Sequence, residues 1–426
     1  MPRVRPSFRD PRFALLLAGQ SANAVGSWAS AIVLWGFAAY RFNASPQAIS
    51  VTVVCWSVPP AVLTPFTGAL SDRFGPRPML VAGYLGAAAA ALAMAVAGSL
   101  AFLDAMAVAY GAARSLSGPA GSALPPRVVA PGDLLAANSL LGTTSAAGQV
   151  AGPLAASILL ATAGFRAAFV ADAATCLAGI AVLLPLPMLP APGAPACGDP
   201  EPADPAGPRS RPATRRARMR AATAGPVAVI RDPGLRRVAA TRAGVMFTSG
   251  AFLVIEPLYA RRVLGRPPSQ FALFEAAIGA GAIVTGLALP RARRLLPGTR
   301  GATRALGAGA AGFGLAAALF TGTPWVPAAY LGALLWGASG AVFYTVAATT
   351  LQRLAPAGTL GRVTGVISTA ESATETASMP LAGALVAVAG IRTGALAVAA
   401  VAVAAGIACL AGSPRRATAS ASGSAR

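Results

Sequence analysis

The stretch GALSDRFGPRPML, residues 68–80, sets one acid and two bases, Asp72, Arg73 and Arg77, between two long apolar runs. In a water-soluble domain such a trio is an ordinary surface turn. Its surroundings argue otherwise: 55% of the 426 residues are hydrophobic and 11% are charged, whereas soluble domains carry about 25% charged residues. Windows such as 79–102 and 393–413 hold no charge at all. Each is long enough, at about 20 residues, to cross a hydrocarbon core as a helix. The charged stretch therefore reads as a short connection between two spans, and the chain as a polytopic membrane protein.

The formal charge of +21 is carried by arginine alone, for the 34 basic residues include no lysine and there is no histidine. The arginines lie mostly in connections, away from any aromatic stripe on which bases would stack, so nucleic acid is not an expected partner. The cysteines, Cys55, Cys176, Cys197 and Cys409, have no paired spacing; they read as small hydrophobes, not as a metal or disulfide site.

Apolar runs bounded by charge or by Pro and Gly fall near 13–40, 47–70, 79–98, 101–123, 138–161 and 167–187. They recur near 236–260, 270–290, 303–322, 326–350, 363–389 and 393–412. The expected fold is all-α, about twelve transmembrane helices in two six-helix bundles, 1–187 and 236–412. The segment 188–235, rich in Pro, small residues and arginine, reads as a flexible linker, and 413–426 as a tail. Six arginines, Arg41, Arg166, Arg261, Arg262, Arg266 and Arg392, fall on one side of these spans; Arg114 and Arg242 fall within spans, and the rest on the other side. The positive-inside bias then makes both termini and the linker cytoplasmic, in a plasma membrane protein whose first partner is the bilayer.

The two sets echo each other. PRVVAPGDLLAANSLL before the fifth span resembles QRLAPAGTLGRVTGVI before the eleventh, and GPLAASILLATAGFRAAFV resembles MPLAGALVAVAGIRTGALAV. Gly68 with the following ALSDR is echoed more weakly by Gly286 with LALPR. Three echoes in the same order argue for a duplicated six-helix unit with a cavity between the halves, the plan of alternating-access transporters.

The opening stretch is similar to the major facilitator superfamily signature G-x-x-x-D-R-x-G-R-R. Gly68, Asp72, Arg73, Gly75 and Arg77 take the matching places, with Pro76 in place of the first arginine of the final pair. In physical terms Gly68 lets helices approach, Asp72 pairs with an arginine or caps a helix, and the arginines anchor at headgroups, a latch that holds one conformation. A simpler alternative is a positive-inside loop with a chance Asp. In the fourth span RSLSGPAG resembles the family's R-x-x-Q-G, with Ser117 at the glutamine, which makes Arg114 an intramembrane cation that faces a polar cavity or snorkels to the interface. In the fifth span Gly148, Gly152 and Pro153 match the antiporter-associated G-x-x-x-G-P-x-x-G-G and read as a helix pivot, while Ala156 and Ser157 replace its last glycines. FRDPRFALLLAGQSANAVGSW and GFRAAFVADAATCLAG look like the branch holding siderophore and macrolide exporters; Ser27 stands where those relatives carry an acid.

Coupling candidates are the carboxylates in apolar spans: Asp172, Glu256, Glu275, Glu371 and Glu375, with Arg114 as a tuning charge. Without histidine, a coupling proton has to ride on one of them, and no other cofactor is implied. Glu371 and Glu375, four apart on one helix face, repel if both are ionised, and so form the preferred pair. Asp172, Glu256 and Glu275 are alternatively solvated charges near the outer ends. Gln20, Asn23, Ser27 and Trp28, with Asn138, Gln149, Thr345, Thr349, Phe247, Phe252, Phe343 and Tyr344, are candidate cavity residues; this mixture suits an apolar or amphipathic organic compound. The expectation is a monomeric, proton-coupled exporter of a drug, siderophore or secondary metabolite. The alternatives are an importer or facilitator on the same fold, or a transport-inactive scaffold or sensor. No H-E-x-x-H, nucleophile motif or acidic metal cluster supports an enzyme.

Overall fold

The computed structural model describes residues 11–125, 128–129, 134–184, 227, 229–292, 298–355 and 360–411. Among them run twelve long helices. The first six are α1 (Pro11–Tyr40), α2 (Pro46–Phe74), α3 (Pro76–Ala95), α4 (Leu100–Ser122), α5 (Leu134–Thr162) and α6 (Gly164–Leu183). The second six are α7 (Pro233–Leu258), α8 (Pro268–Ala292), α9 (Gly298–Gly322), α10 (Val326–Leu354), α11 (Leu360–Ala389) and α12 (Ile391–Ala411). A π-helical turn, Tyr259–Val263, extends α7.

Local chemistry explains the boundaries. Ser45, Ser99 and Asp232 cap α2, α4 and α7 by accepting from free backbone N–H groups, and proline opens α2, α3, α7 and α10, where its missing donor costs nothing. Asp232 accepts from Gly234 and Leu235 at 2.7 and 2.9 Å, so α7 begins inside the segment expected to be linker. Residues 188–226 of that segment and the tail lie outside the described residues.

Ten of the twelve helices are apolar and long enough to cross a membrane. The two that fall short, α4 and α11, are those that carry Arg114 and the Glu371–Glu375 pair. Their polarity marks an interior role, since polar groups in a membrane helix face the bundle or water.

The first six helices pack among themselves, α1 on α5 and α6, α3 on α4 and α6, α2 on α4. So do the second six, α7 on α11 and α12, α9 on α10 and α12, α8 on α10. Small residues bring these axes together: a Cβ on Gly337 of α10 would stand 1.7 Å from the Ile278 carbonyl oxygen of α8. The two groups meet along two seams, α2 against α11 and α5 against α8.

The seams are closed at one end only. Toward the end that carries Arg261, residues 29–39 of α1 are all buried, as are 254–260 of α7 and its extension. Ser50 of α2 donates to the Met379 carbonyl of α11 at 3.0 Å, and Gly383 lies so close that a Cβ there would be 2.1 Å from Ser50 Oγ. Arg261 donates to the Ala39 carbonyl and to Asn43 Oδ1 and covers the Tyr40 ring, while Arg262 donates to the Ala44 carbonyl at 2.8 Å. Toward the end that carries Arg73, the polar residues Asn138, Ser145, Thr345, Thr349, Ser368 and Thr369 are exposed on α5, α10 and α11. Polar faces of membrane helices left without partners border water, not lipid, so this end is open.

Candidate substrate cavity and buried charges

The open end leads to a cavity of about 420 Å³ in the first bundle. Three helical stripes build its wall: Gln20, Asn23, Ser27 and Trp28 on α1, Arg114, Ser117, Gly118 and Gly121 on α4, and Asn138, Leu141 and Ser145 on α5. Spacings of three, four and seven residues put each set on one helix face. Gln20, Asn23, Trp28 and Arg114 thus line one cavity. Arg114 donates to Ser27 Oγ, whose own hydroxyl donates to the Asn23 carbonyl at 2.7 Å. Tyr84 of α3 donates to Gln20 at 3.3 Å and completes the floor. One cation among amides, hydroxyls and two aromatic rings can receive an organic molecule with a polar or anionic end.

Behind this wall lies Asp172 of α6, 1% exposed, accepting from Tyr110 of α4 at 2.9 Å. Tyr110 in turn stacks on Trp56 of α2 with ring centroids 4.4 Å apart. Reading Asp172 as a solvated end charge is thus overturned: it ties α6 to α4 in the interior. Asp104 was overlooked among the carboxylates. It accepts from Thr52 at 2.6 Å and joins α4 to α2 near the closed end.

In the second bundle Arg242 of α7 and Glu371 of α11 form a two-pronged ion pair, with Nη2 to Oε2 at 3.0 Å and Nε to Oε1 closing the fork. Glu371 and Glu375 share one helix face as the spacing implies, but Glu371 also has a partner that the spacing does not show. Arg242 supplies the counter-charge, and Glu375, one turn on and half-buried, is left beside Gly250 of α7. Arg242 had been read only as an arginine within a span. Phe343 and Phe252 are corrected too. Both are fully buried in the core, Phe343 against Gly309 and Phe252 against the Trp336 ring at 4.9 Å, because they face neighbouring helices and not the open end. Phe247 is half-buried, and Tyr344 is 38% exposed with its hydroxyl on Ser249.

Glu256 of α7 and Glu275 of α8 were also candidates for solvated end charges. Glu256 is 3% exposed, and its carboxyl hydrogen-bonds with that of Glu275. Glu275 Oε1 is buried and has no hydrogen-bond partner.

The charged signature straddles a tight joint. Residues 71–74 complete α2 and 76–78 begin α3, so the expected connection shrinks to Gly75, whose φ of +85° only glycine holds without strain. Arg73 is exposed over the Phe74 ring and Arg77 is half-buried; the side chain of Asp72 lies outside the described residues. A Cβ on Gly68 would meet nothing within 4 Å, so close approach at Gly68 does not occur in this conformation. Gly148 and Gly152 do bring helices together: Cβ atoms there would stand 2.9 Å from Ala24 Cβ and 2.6 Å from Trp28 Cβ. Pro153 follows inside α5, buried, where its ring removes one backbone bond.

Twelve long helices among the described residues, ten of them apolar and long enough to cross a membrane, two bundles meeting along paired seams, a cavity open at one end and charges held inside define a multi-pass membrane transporter. The Major Facilitator Superfamily profile matches residues 16–374, and the chain belongs to that family. The Uncharacterized MFS-type transporter YfiS of Bacillus subtilis (strain 168) is 31% identical over 85 residues, a match spanning 20% of this chain and 20% of that protein. The fold is similar to the crystal structure of the nucleoside transporter NupG, with a TM-score of 0.73 at 12% identity over 94% of this chain and 99% of that one. It is similar also to a bacterial homologue of the iron transporter ferroportin, with a TM-score of 0.70 at 17% identity over 94% and 98% of the two chains.

Proposed function

We propose that this transporter exports an apolar or amphipathic small organic molecule in exchange for protons, by alternating access across the plasma membrane. The observation that carries the reading is the cavity: about 420 Å³, lined by Trp28, Tyr84, amides, hydroxyls and, among the described residues, the one cation Arg114, open toward the Arg73 end and shut at the other. Aromatic faces and small polar groups favour an organic body with one polar or anionic end over a sugar, which needs many paired hydrogen bonds. The arginine census orients the Arg73 end, the linker and both termini to the cytoplasm, with Arg166 and Arg392 outside, so the conformation described is open inward. The bundles 1–187 and 236–412 rock as units about the linker, and a monomer suffices. Gly148, Gly152 and Pro153 form the pivot on α1, and the Gly68–Arg77 latch re-forms when the inner end closes.

The test is a compound-accumulation screen in cells with and without the protein, with a protonophore control. Lower accumulation of a compound class that the protonophore restores supports proton-driven export; no difference for any compound overturns it. Import on the same fold is the second reading, and it predicts higher accumulation in the same screen.

A further inference from the structure

We infer that Glu256 and Glu275 form a single proton-binding site set in the seam between the bundles, and that its proton holds the Arg261 end shut. For its energetic meaning this rests on the proton-coupled reading above. Two ionised carboxylates offer only acceptors, so a hydrogen bond between carboxyls needs a proton on one of them. Glu256 is 3% exposed, and Glu275, half-buried as a residue, keeps its buried Oε1 with no partner. An unpaired charge in such surroundings is disfavoured strongly enough that the group takes up a proton instead.

No cation stands ready to replace that proton. The ionisable side chains on the neighbouring elements at this end are Tyr40 of α1 and Arg41 just after it, Tyr259, Arg261 and Arg262 of the π-helical turn, Arg266 before α8, Tyr330 of α10 and Arg392 of α12; α5 has none. Arg261 and Arg262 donate to α1 and the α1–α2 turn, Tyr259 to the Thr323 carbonyl and Arg392 to the Gly322 carbonyl. Arg41 stands over the Phe42 ring, Arg266 beside Tyr330, and Tyr40 under Arg261. Among the described residues none of these bonds runs to either carboxyl.

Register places the pair at the seam. Phe271, Glu275 and Gly279 follow at intervals of four along one face of α8. A Cβ on Gly36 of α1 would stand 3.6 Å from the Phe271 ring, and one on Gly279 would stand 2.6 Å from Val150 of α5. Glu275 is thus bracketed, one turn to each side, by contacts with the first bundle. Glu256 lies on α7 shortly before Arg261 and Arg262, which hold the first bundle through the end of α1 and the α1–α2 turn.

The consequence is a linkage between proton and conformation. With the seam shut, the pair must stay protonated; opening at the Arg261 end admits water, lets the proton leave and lets the carboxylates part. Proton uptake from that side therefore drives closure, and rising pH favours the open form. A proton taken up at the outer face would return the carrier to its inward-open state after each release of substrate.

The experiment uses full-length protein in nanodiscs, with the native cysteines replaced and spin labels at Ala163→Cys and Val388→Cys, exposed positions at this end on opposite bundles. With no substrate present, the expected distance distribution is short at mildly acidic pH and gains a longer component as pH rises. Glu256→Gln with Glu275→Gln should stay short throughout, whereas Glu371→Gln with Glu375→Gln should respond as wild type. A pH response unchanged by the first pair of substitutions, or absent from wild type, overturns the inference. Should the double variant not fold, Glu256→Gln alone keeps the shape and a neutral hydrogen bond. Its pH-difference infrared spectrum should then lose a buried carboxyl C=O band; a band that persists refutes the site. Failure of the accumulation screen alone leaves this result standing, since the distance readout needs no substrate.

Discussion

At the Arg261 end the contacts across the seam finish largely on backbone: two arginines on the carbonyls of Ala39 and Ala44, Ser50 on that of Met379, Gly383 against Pro46 and Ser50. At the Arg73 end the signature arginines reach nothing in the second bundle that the described residues show; Arg73 lies over the ring of its own neighbour, Phe74, and Gly68 faces open space. One end is thus shut by small residues and backbone acceptors, and the other keeps its charges in reserve. The difference teaches that the described signature residues take no part in the closure seen in this conformation. Closure here depends on residues that no family signature marks.

Four sets of substitutions break or sharpen that contrast. The largest effect is expected from Gly383→Leu, whose Cβ alone would stand 2.1 Å from Ser50 Oγ and 3.0 Å from the Pro46 carbonyl oxygen. It should abolish the short distance between labels at 163 and 388 and eliminate transport; a retained short distance would show that the seam has room. Next, Arg242→Met leaves Glu371 without its counter-charge inside the second bundle. The pair is 16% and 11% exposed, so the low end of the usual loss applies, about 3 kcal/mol in thermal unfolding in detergent. Arg242→Met with Glu371→Met should recover most of it, and neither variant should move the seam distance much, because both partners sit in one bundle.

Arg261→Ala with Arg262→Ala removes charge-assisted bonds at a partly solvated site. A loss of about 1.4 kcal/mol would raise the open population at that end about tenfold, read by the same labels. Gly68→Leu should do least to this conformation, shifting its stability by less than about 0.5 kcal/mol. If the inner end closes over Gly68 elsewhere in the cycle, transport should still fall. Transport at the wild-type rate would remove Gly68 from the latch.

Much of this was legible in the sequence, because membrane helices announce themselves by length and apolarity. The boundaries of α4, α9 and α12 fall within a few residues of the apolar runs, and the Gln20–Trp28 stripe faces the cavity as its spacing implies. What escaped was pairing between helices. Spacing within one helix set Glu371 and Glu375 on one face as repelling charges and could show no counter-charge for either. Glu371 meets Arg242, 129 residues away. Glu256 and Glu275 lie on consecutive helices and carry no motif, so only the packing of α7 on α8 joins them. Asp104 hid near the start of α4, where an acid looks like a helix-end charge until Thr52 of α2 is seen beside it.

The arginine clamp has a genetic consequence. The Ala39 and Ala44 acceptors are main-chain oxygens, present whatever side chain those positions encode. A selection for variants that open more readily would therefore return donor changes at codons 261 and 262, or bulky residues at 383, and almost none at 39 or 44. The mutational target for loosening this end is small and lopsided, concentrated in one five-residue turn. Variants that regain closure after loss of an arginine would have to arise largely at other sites along the seam, since of the acceptors only Asn43, which accepts from Arg261 at 2.8 Å, offers a side chain whose change can compensate.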